Sequence, residues 1–302
     1  MTTDASGSKS SDGRASDERS ADDKRALAAL AADLPSDDRG LAYGEGVFET
    51  ILVREGQPQL WSWHEARLTR GCQRLGIAAP SSAELAGCLA VCQGEGLEVL
   101  KLIVTGGSGG RGYRAPESPE TRLRARATPF AVNQQARRGI TARVCELRVA
   151  EQPALAGLKH LNRLENVLAR REWSDTAISE GLLLNAQGEL IEATSMNLAW
   201  YRDGRWFTPC LDRAGVEGTL LAALEAEMAL EAEMTFERVR EGLESLAWAE
   251  QVVVMNSVQG VWPLRTLLKP DGAILAEWKD EAHPALDELN HTVARLLGEP
   301  AN

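Results

Sequence analysis

The sequence predicts an α+β protein of two domains. From Gly46 to Phe130 the apolar pattern reads as two strands, two helices and two more strands. After Pro129 a second unit begins, built of strands with a helix on either side of its hairpins. The chain has 302 residues and is 44% apolar, enough to bury a core in each unit. The expected division is a tail over 1–25, a smaller domain over 26–131 and a larger one over 132–302.

In the first unit, "GVFETILV" is a strand, and "GQPQLW" supplies its turn and return strand. "SWHEARLTRGCQRLG" is an amphipathic helix with Ser62 as its expected cap. "SSAELAGCLAVCQ" opens on a capping box, Ser81 with Glu84. "LEVLKLIVTGG" is a strand running into the glycine-rich "GGSGGRGYRAP", and "TRLRARATPF" alternates as a half-buried strand does.

In the second unit, "GITARVCEL" is a strand, followed by the irregular "RVAEQPALAG". In "GLKHLNRLENVLARREW", Leu161, Leu164, Val167 and Leu168 recur at helical spacing and predict one buried face. "NAQGE" and Asp203-Gly204 are hairpin signals. "GVEGTLLAALEAEMAL" reads as a helix opening at Gly215, and "QVVVMNSVQGVWPL" as a buried strand ending in a polar turn.

The formal charge of −11 speaks against a nucleic-acid surface. No run of eighteen apolar residues is present, so no membrane span is expected. The Ser/Asp-rich start has no apolar stretch to act as a signal peptide, and it reads as a disordered tail. Five cysteines without a CxxC fit a reducing cytoplasm, and the four histidines show no metal spacing.

Lysine is rare here, six residues against 27 arginines. Lys9 and Lys24 lie in the polar tail, Lys269 in a turn, Lys279 on a solvated face, and Lys101 points outward from a strand. Lys159 is left as the best amine candidate, because lysine can shed its proton when desolvated and arginine cannot. A solvated lysine at a helix start is the alternative. Glu192 lies in "ELIEATSMNLAW" among apolar neighbours, and a buried carboxylate needs a partner. That partner is a cationic ligand, a helix terminus or a structural arginine. "GVEGTLL" and "MNSVQG" are each an anion cradle or an ordinary turn. Lysine, acid and phosphate cradle are the set a pyridoxal phosphate site needs.

"DDRGLAYGEGVFETILV", "HEARLTRGCQRLGI", "GSGGRGY", "LKHLNRLENVLAR", "IEATSMNLAW", "GVEGTLL" and "NSVQGVWPL" follow one another in this order. Together they resemble the fold-type IV pyridoxal-phosphate enzymes, which include branched-chain and D-amino-acid aminotransferases and 4-amino-4-deoxychorismate lyases. The resemblance implies that Lys159 is the Schiff-base lysine and that Glu192, 33 residues on, faces the pyridine nitrogen. It implies that Arg67 meets the cofactor phosphate, with the backbone amides of Val216 and Glu217 and the turn at Asn256 and Ser257.

The Leu-Asn-Arg-Leu run and "GSGGRGY" are lyase-like, and Arg111 is the candidate for a substrate carboxylate. The implied reaction converts 4-amino-4-deoxychorismate to 4-aminobenzoate and pyruvate, a step of folate biosynthesis. Lys159 would take the ring proton, and Thr50 or Tyr113 would be a conceivable proton donor. A D-amino-acid or branched-chain aminotransferase is the alternative. A cytoplasmic homodimer with a small-molecule substrate is expected. Two departures from the family pattern stand out. Gly106 occupies a position that often carries arginine, and "RALAALAADLP" lacks the usual Trp and Asn-Gly turn of a first strand.

Overall fold

The computed structural model describes residues 30–231 and 236–300. The expected tail lies outside the described residues. The architecture is α+β. A short helix α1 (Arg39–Tyr43) leads into a four-stranded antiparallel sheet in the order β2-β1-β3-β4. Its strands are β1 (Gly46–Arg54), β2 (Gln57–Pro58), β3 (Leu97–Thr105) and β4 (Arg122–Pro129). Helices α2 (Trp61–Leu75) and α3 (Ser82–Gly87) cover one face of it, joining Val47, Ile51 and Val53 to Leu68, Cys72 and Leu85 in one core.

The second sheet has nine strands. After α4 (Gln134–Arg138) it comprises β5 (Ile140–Val149), β6 (Ile178–Asn185), β7 (Leu190–Ala193), β8 (Asn197–Arg202), β9 (Arg205–Pro209), β10 (Phe236–Val239), β11 (Gln251–Asn256), β12 (Gly260–Leu268) and β13 (Ile274–Glu277). Helix α5 (Leu164–Arg170) lies between β5 and β6, α6 (Thr219–Glu231) after β9, and α7 (Pro284–Leu296) closes the described chain. Leu52 of β1 packs with Ala199, Trp206, Val253 and Leu289, so the first sheet also contributes to the core of the second unit.

Several local expectations are met. The capping box at Ser81 and Glu84 is present. Asp203 and Gly204 both adopt positive φ and connect β8 to β9 in a tight hairpin. Lys101 is exposed on β3.

Three are corrected. Helix α2 is preceded by Leu60 in the left-handed region without a side-chain cap, and Ser62 lies inside its first turn. The helix expected to open at Gly215 starts at Thr219. Gly215 sits at φ +80°, outside helical space, and a Cβ on Gly218 would fall 1.8 Å from the Asn197 side chain. The apolar face of the lysine-bearing segment is not buried. Leu164 is 65% exposed, Val167 44% and Leu168 45%. Helix α5 is only seven residues long and turns Ala169, not these three, into the core.

Candidate active site

Three segments distant in sequence build the site. Phe48 N–H donates to Lys159 O at 3.0 Å and Leu161 N–H to Gly46 O at 3.0 Å, which lays the lysine segment along β1. Gly157, at φ +76°, donates to Gly215 O and accepts from Glu217 N–H, which pairs the same segment with the loop ahead of α6. Between them lies a cavity of about 880 Å³, lined among others by Phe48, Thr50, Arg67, Lys159, Glu192 and Thr219.

The Lys159 ammonium lies 4.6 Å from the centroid of the Phe48 ring. Burial, with Arg67 nearby, brings its pKa down to about 8 against the pull of Glu49 and Glu192. A fraction of the amine is therefore neutral at neutral pH, as a nucleophile or base requires. Across the cavity, Glu192 comes from β7 and accepts from Val216 N–H at 2.8 Å. Burial pushes its carboxyl up, opposed by Arg163, by the Val216 amide, by Lys159 and by the Asn166 side chain.

Arg67, on the buried face of α2, holds Glu49 and donates to Glu217 O at 2.9 Å. Glu217 does not line the cavity, and its carboxylate pairs with Arg238 at 2.6 and 2.9 Å. The amides of Val216 and Glu217 are already engaged, by Glu192 and Gly157. Among the described residues, the first amides here without a partner are those of Gly218 and Thr219, at the start of α6. Asn256 and Ser257 line the cavity at the end of β11. Asn256 Oδ1 accepts from Val258 and Gln259 N–H and so shapes the turn.

Arg111 is not among the lining residues and is exposed on the glycine-rich loop. The buried Arg39 gathers that loop by donating to the carbonyls of Gly109, Gly112, Tyr113 and Arg114. Thr50 lines the cavity, whereas Tyr113 is 88% exposed.

The cavity wall also holds groups that the sequence reading passed over. Glu180 of β6 is buried and accepts from the hydroxyls of Thr194 and Ser195, and burial raises its pKa. Arg163 faces Glu192 and donates to the carbonyls of His160 and Leu158. Glu49 and His64 support Arg67 from behind. A signal for Glu49 was present, since it shares a strand face with the apolar Val47, Ile51 and Val53.

The model of the amino-transferase class IV family matches residues 46–267. The aminodeoxychorismate lyase of Vibrio harveyi is 33% identical over 250 residues, covering 80% of this chain and 90% of that protein. The crystal structure of 4-amino-4-deoxychorismate lyase from Pseudomonas aeruginosa superposes with a TM-score of 0.80 at 39% identity, covering 88% of this chain and 96% of that one. The branched-chain amino acid aminotransferase from Escherichia coli shares the fold, with a TM-score of 0.74 at 22% identity, covering 90% of this chain and 91% of that one.

Proposed function

Because the chain belongs to the class IV aminotransferase family, we propose that it is a lyase, converting 4-amino-4-deoxychorismate to 4-aminobenzoate and pyruvate. The observation that carries this reading is the desolvated Lys159 amine facing the buried Glu192 in one cavity, in a chain that resembles two such lyases over most of its length. The likeness to the aminotransferase concerns the fold alone.

The donor set fits pyridoxal 5′-phosphate. A partly neutral amine can bond its aldehyde, a buried carboxylate can hold its ring nitrogen protonated, and a guanidinium beside free helix-start amides suits its phosphate. We assign these roles to Lys159, Glu192 and Arg67, with the amides of Gly218 and Thr219 and the turn at Asn256 and Ser257 around the phosphate. Bound there, the cofactor would supply an electron sink for the carbon that loses its proton. Lys159 Nζ would be the base that takes the substrate's ring proton. Glu192, held by Val216 N–H and facing Arg163, would pair with a protonated ring nitrogen, whose charge would oppose the rise that burial imposes on its carboxyl. Phe48 shields the amine from water.

The two sheets are the proposed domains, dividing near residue 131, with the cavity between them. A homodimer fits the apolar side chains left exposed. Asn162, just ahead of α5, donates to Gly44 O beside α1, and Leu164, Val167 and Leu168 on the one element and Leu41 and Tyr43 on the other are all exposed. In that arrangement Arg111 would reach a substrate carboxylate across the interface, since it does not line the cavity of its own chain. All five cysteines are unpaired, as suits the cytoplasm, and no helix among the described residues is long and apolar enough to cross a membrane.

The deciding assay supplies purified, cofactor-loaded protein with 4-amino-4-deoxychorismate. Release of pyruvate and 4-aminobenzoate is expected. Amino transfer that depends on an added keto acid, with no aminobenzoate, would favour the aminotransferase.

A further inference from the structure

Arg67 does not stand alone in the wall of the cavity. Its Nε and Nη2 both donate to Glu49, one to each carboxylate oxygen, and Nη1 donates to Glu217 O. Glu49 Oε2 also meets His64 Nδ1 at 2.6 Å, and His64 Nε2 lies 3.5 Å from Thr219 Oγ1 at the first residue of α6. Glu49 and His64 are each 1% exposed, and Thr219 is 3% exposed.

The direction of every hydrogen bond in this chain follows from charge. Burial alone would raise the Glu49 carboxyl, but Arg67 and the bonds from Arg67 and His64 bring it down to about 2. Glu49 therefore only accepts, and His64 Nδ1 must carry a proton. Burial, more than offsetting Glu49, lowers the His64 pKa, so the ring is neutral and Nε2 is an acceptor. Thr219 Oγ1 then donates to Nε2. The hydroxyl hydrogen is committed away from the cavity. A guanidinium carries five N–H groups, and three are used, which leaves one on Nη1 and one on Nη2. Arg67 lines the cavity, and these two N–H groups are its unused donors.

We propose that Glu49 and His64 are positioning residues. They orient Arg67 and the start of α6 so that the unused guanidinium N–H groups and the helix-start amides converge on one phosphate group. This rests on the reading of Arg67 as the phosphate-binding arginine. Thr219 contributes its backbone amide there, and its hydroxyl fixes the helix start to the same relay. A ligand without a phosphate gains nothing from this arrangement. The relay therefore sets the preference for the phosphorylated cofactor over its unphosphorylated form, and not the general affinity of the cavity.

The test titrates cofactor-free protein with pyridoxal 5′-phosphate and, separately, with pyridoxal, and takes the ratio of the two affinities. Arg67→Ala should cut that ratio by tenfold or more, by roughly the strength of a charge-assisted hydrogen bond. Glu49→Asp keeps the charge but shortens the arm, and should cut it by about tenfold through misplacement alone. Should Glu49→Asp fail to fold, the His64 pair decides. His64→Asn keeps an N–H near the Nδ1 position but lacks an acceptor for Thr219, and His64→Gln keeps an acceptor near Nε2 but loses that N–H, so each should lower the ratio several-fold. A loss with Arg67→Ala but none with Glu49→Asp or His64→Gln would overturn the positioning role and leave Arg67 on the phosphate. A wild-type ratio in His64→Gln would overturn the link through Nδ1, and a wild-type ratio in His64→Asn the hold on Thr219. No loss with Arg67→Ala would overturn the phosphate reading itself.

Discussion

Lys159 Nζ lies 4.6 Å from the centre of the Phe48 ring, and the backbone N–H of Phe48 donates to the carbonyl of Lys159. One residue of β1 thus fixes both the main chain and the side chain of the amine. Burial at this place, with Arg67 nearby, disfavours the charged form of the amine.

A pH test of the cofactor-free protein follows. The pKa of Lys159 falls from 10.5 unfolded to about 8 folded. Below pH 8 the amine is charged in both states and its burial cost is fully present. Between 8 and 10.5 the unfolded chain binds more protons, so the cost is relieved as pH rises. Lys159→Met should therefore raise the melting temperature by several degrees at neutral pH, and the gain should shrink towards pH 10.5. A gain that is flat across this range would show that Lys159 is not desolvated.

Lys159→Arg should fold normally and lose both turnover and the cofactor's protein-bound absorbance band, because a guanidinium stays protonated. Absorbance spectra of the purified variant decide this. A retained band would mean that another group carries the cofactor.

Glu192→Gln keeps the shape and can still accept from Val216 N–H, but it removes the charge. Cofactor should still bind, and turnover should fall by about 100-fold or more, the scale of losing a charge-stabilising group in a site. Wild-type turnover would reduce Glu192 to a structural partner of Arg163.

Leu164 and Leu168 are about half exposed, so replacing both with Glu costs the single chain little. Sedimentation should show the Leu164→Glu, Leu168→Glu variant as a monomer where the parent protein is a dimer. The KM for aminodeoxychorismate should rise in that variant, and likewise in Arg111→Ala, without a change in the cofactor spectrum. A monomeric parent protein would remove the interface, and with it the proposed role of Arg111.

Much of this was legible in the strands and in the order of the motifs. The alternation of "TRLRARATPF", the capping box and the Asp203-Gly204 hairpin are local signals, and the structure follows them. What escaped was long-range. Gly218 looks like part of a helix start until Asn197, from another strand, occupies the place of its Cβ. Leu164, Val167 and Leu168 have the spacing of a buried face, but the sequence does not say against what. Glu49 and His64 were readable as polar residues on apolar faces, yet their meaning depends on Glu49 of β1 meeting both His64 and Arg67 of α2.

The segments stitched around the cavity also bear on how the chain folds. Arg67 and Glu217 are 150 residues apart, and Asn162 and Gly44 are 118 apart. Closing such loops costs entropy that only the finished contacts return. The first sheet can form from neighbours in sequence, but the cavity cannot exist until the loop ahead of α6 has reached the lysine segment. Cofactor capture should thus be among the last events of refolding, lagging the recovery of secondary structure. Ligand added early in refolding would stabilise the end state without speeding the approach to it.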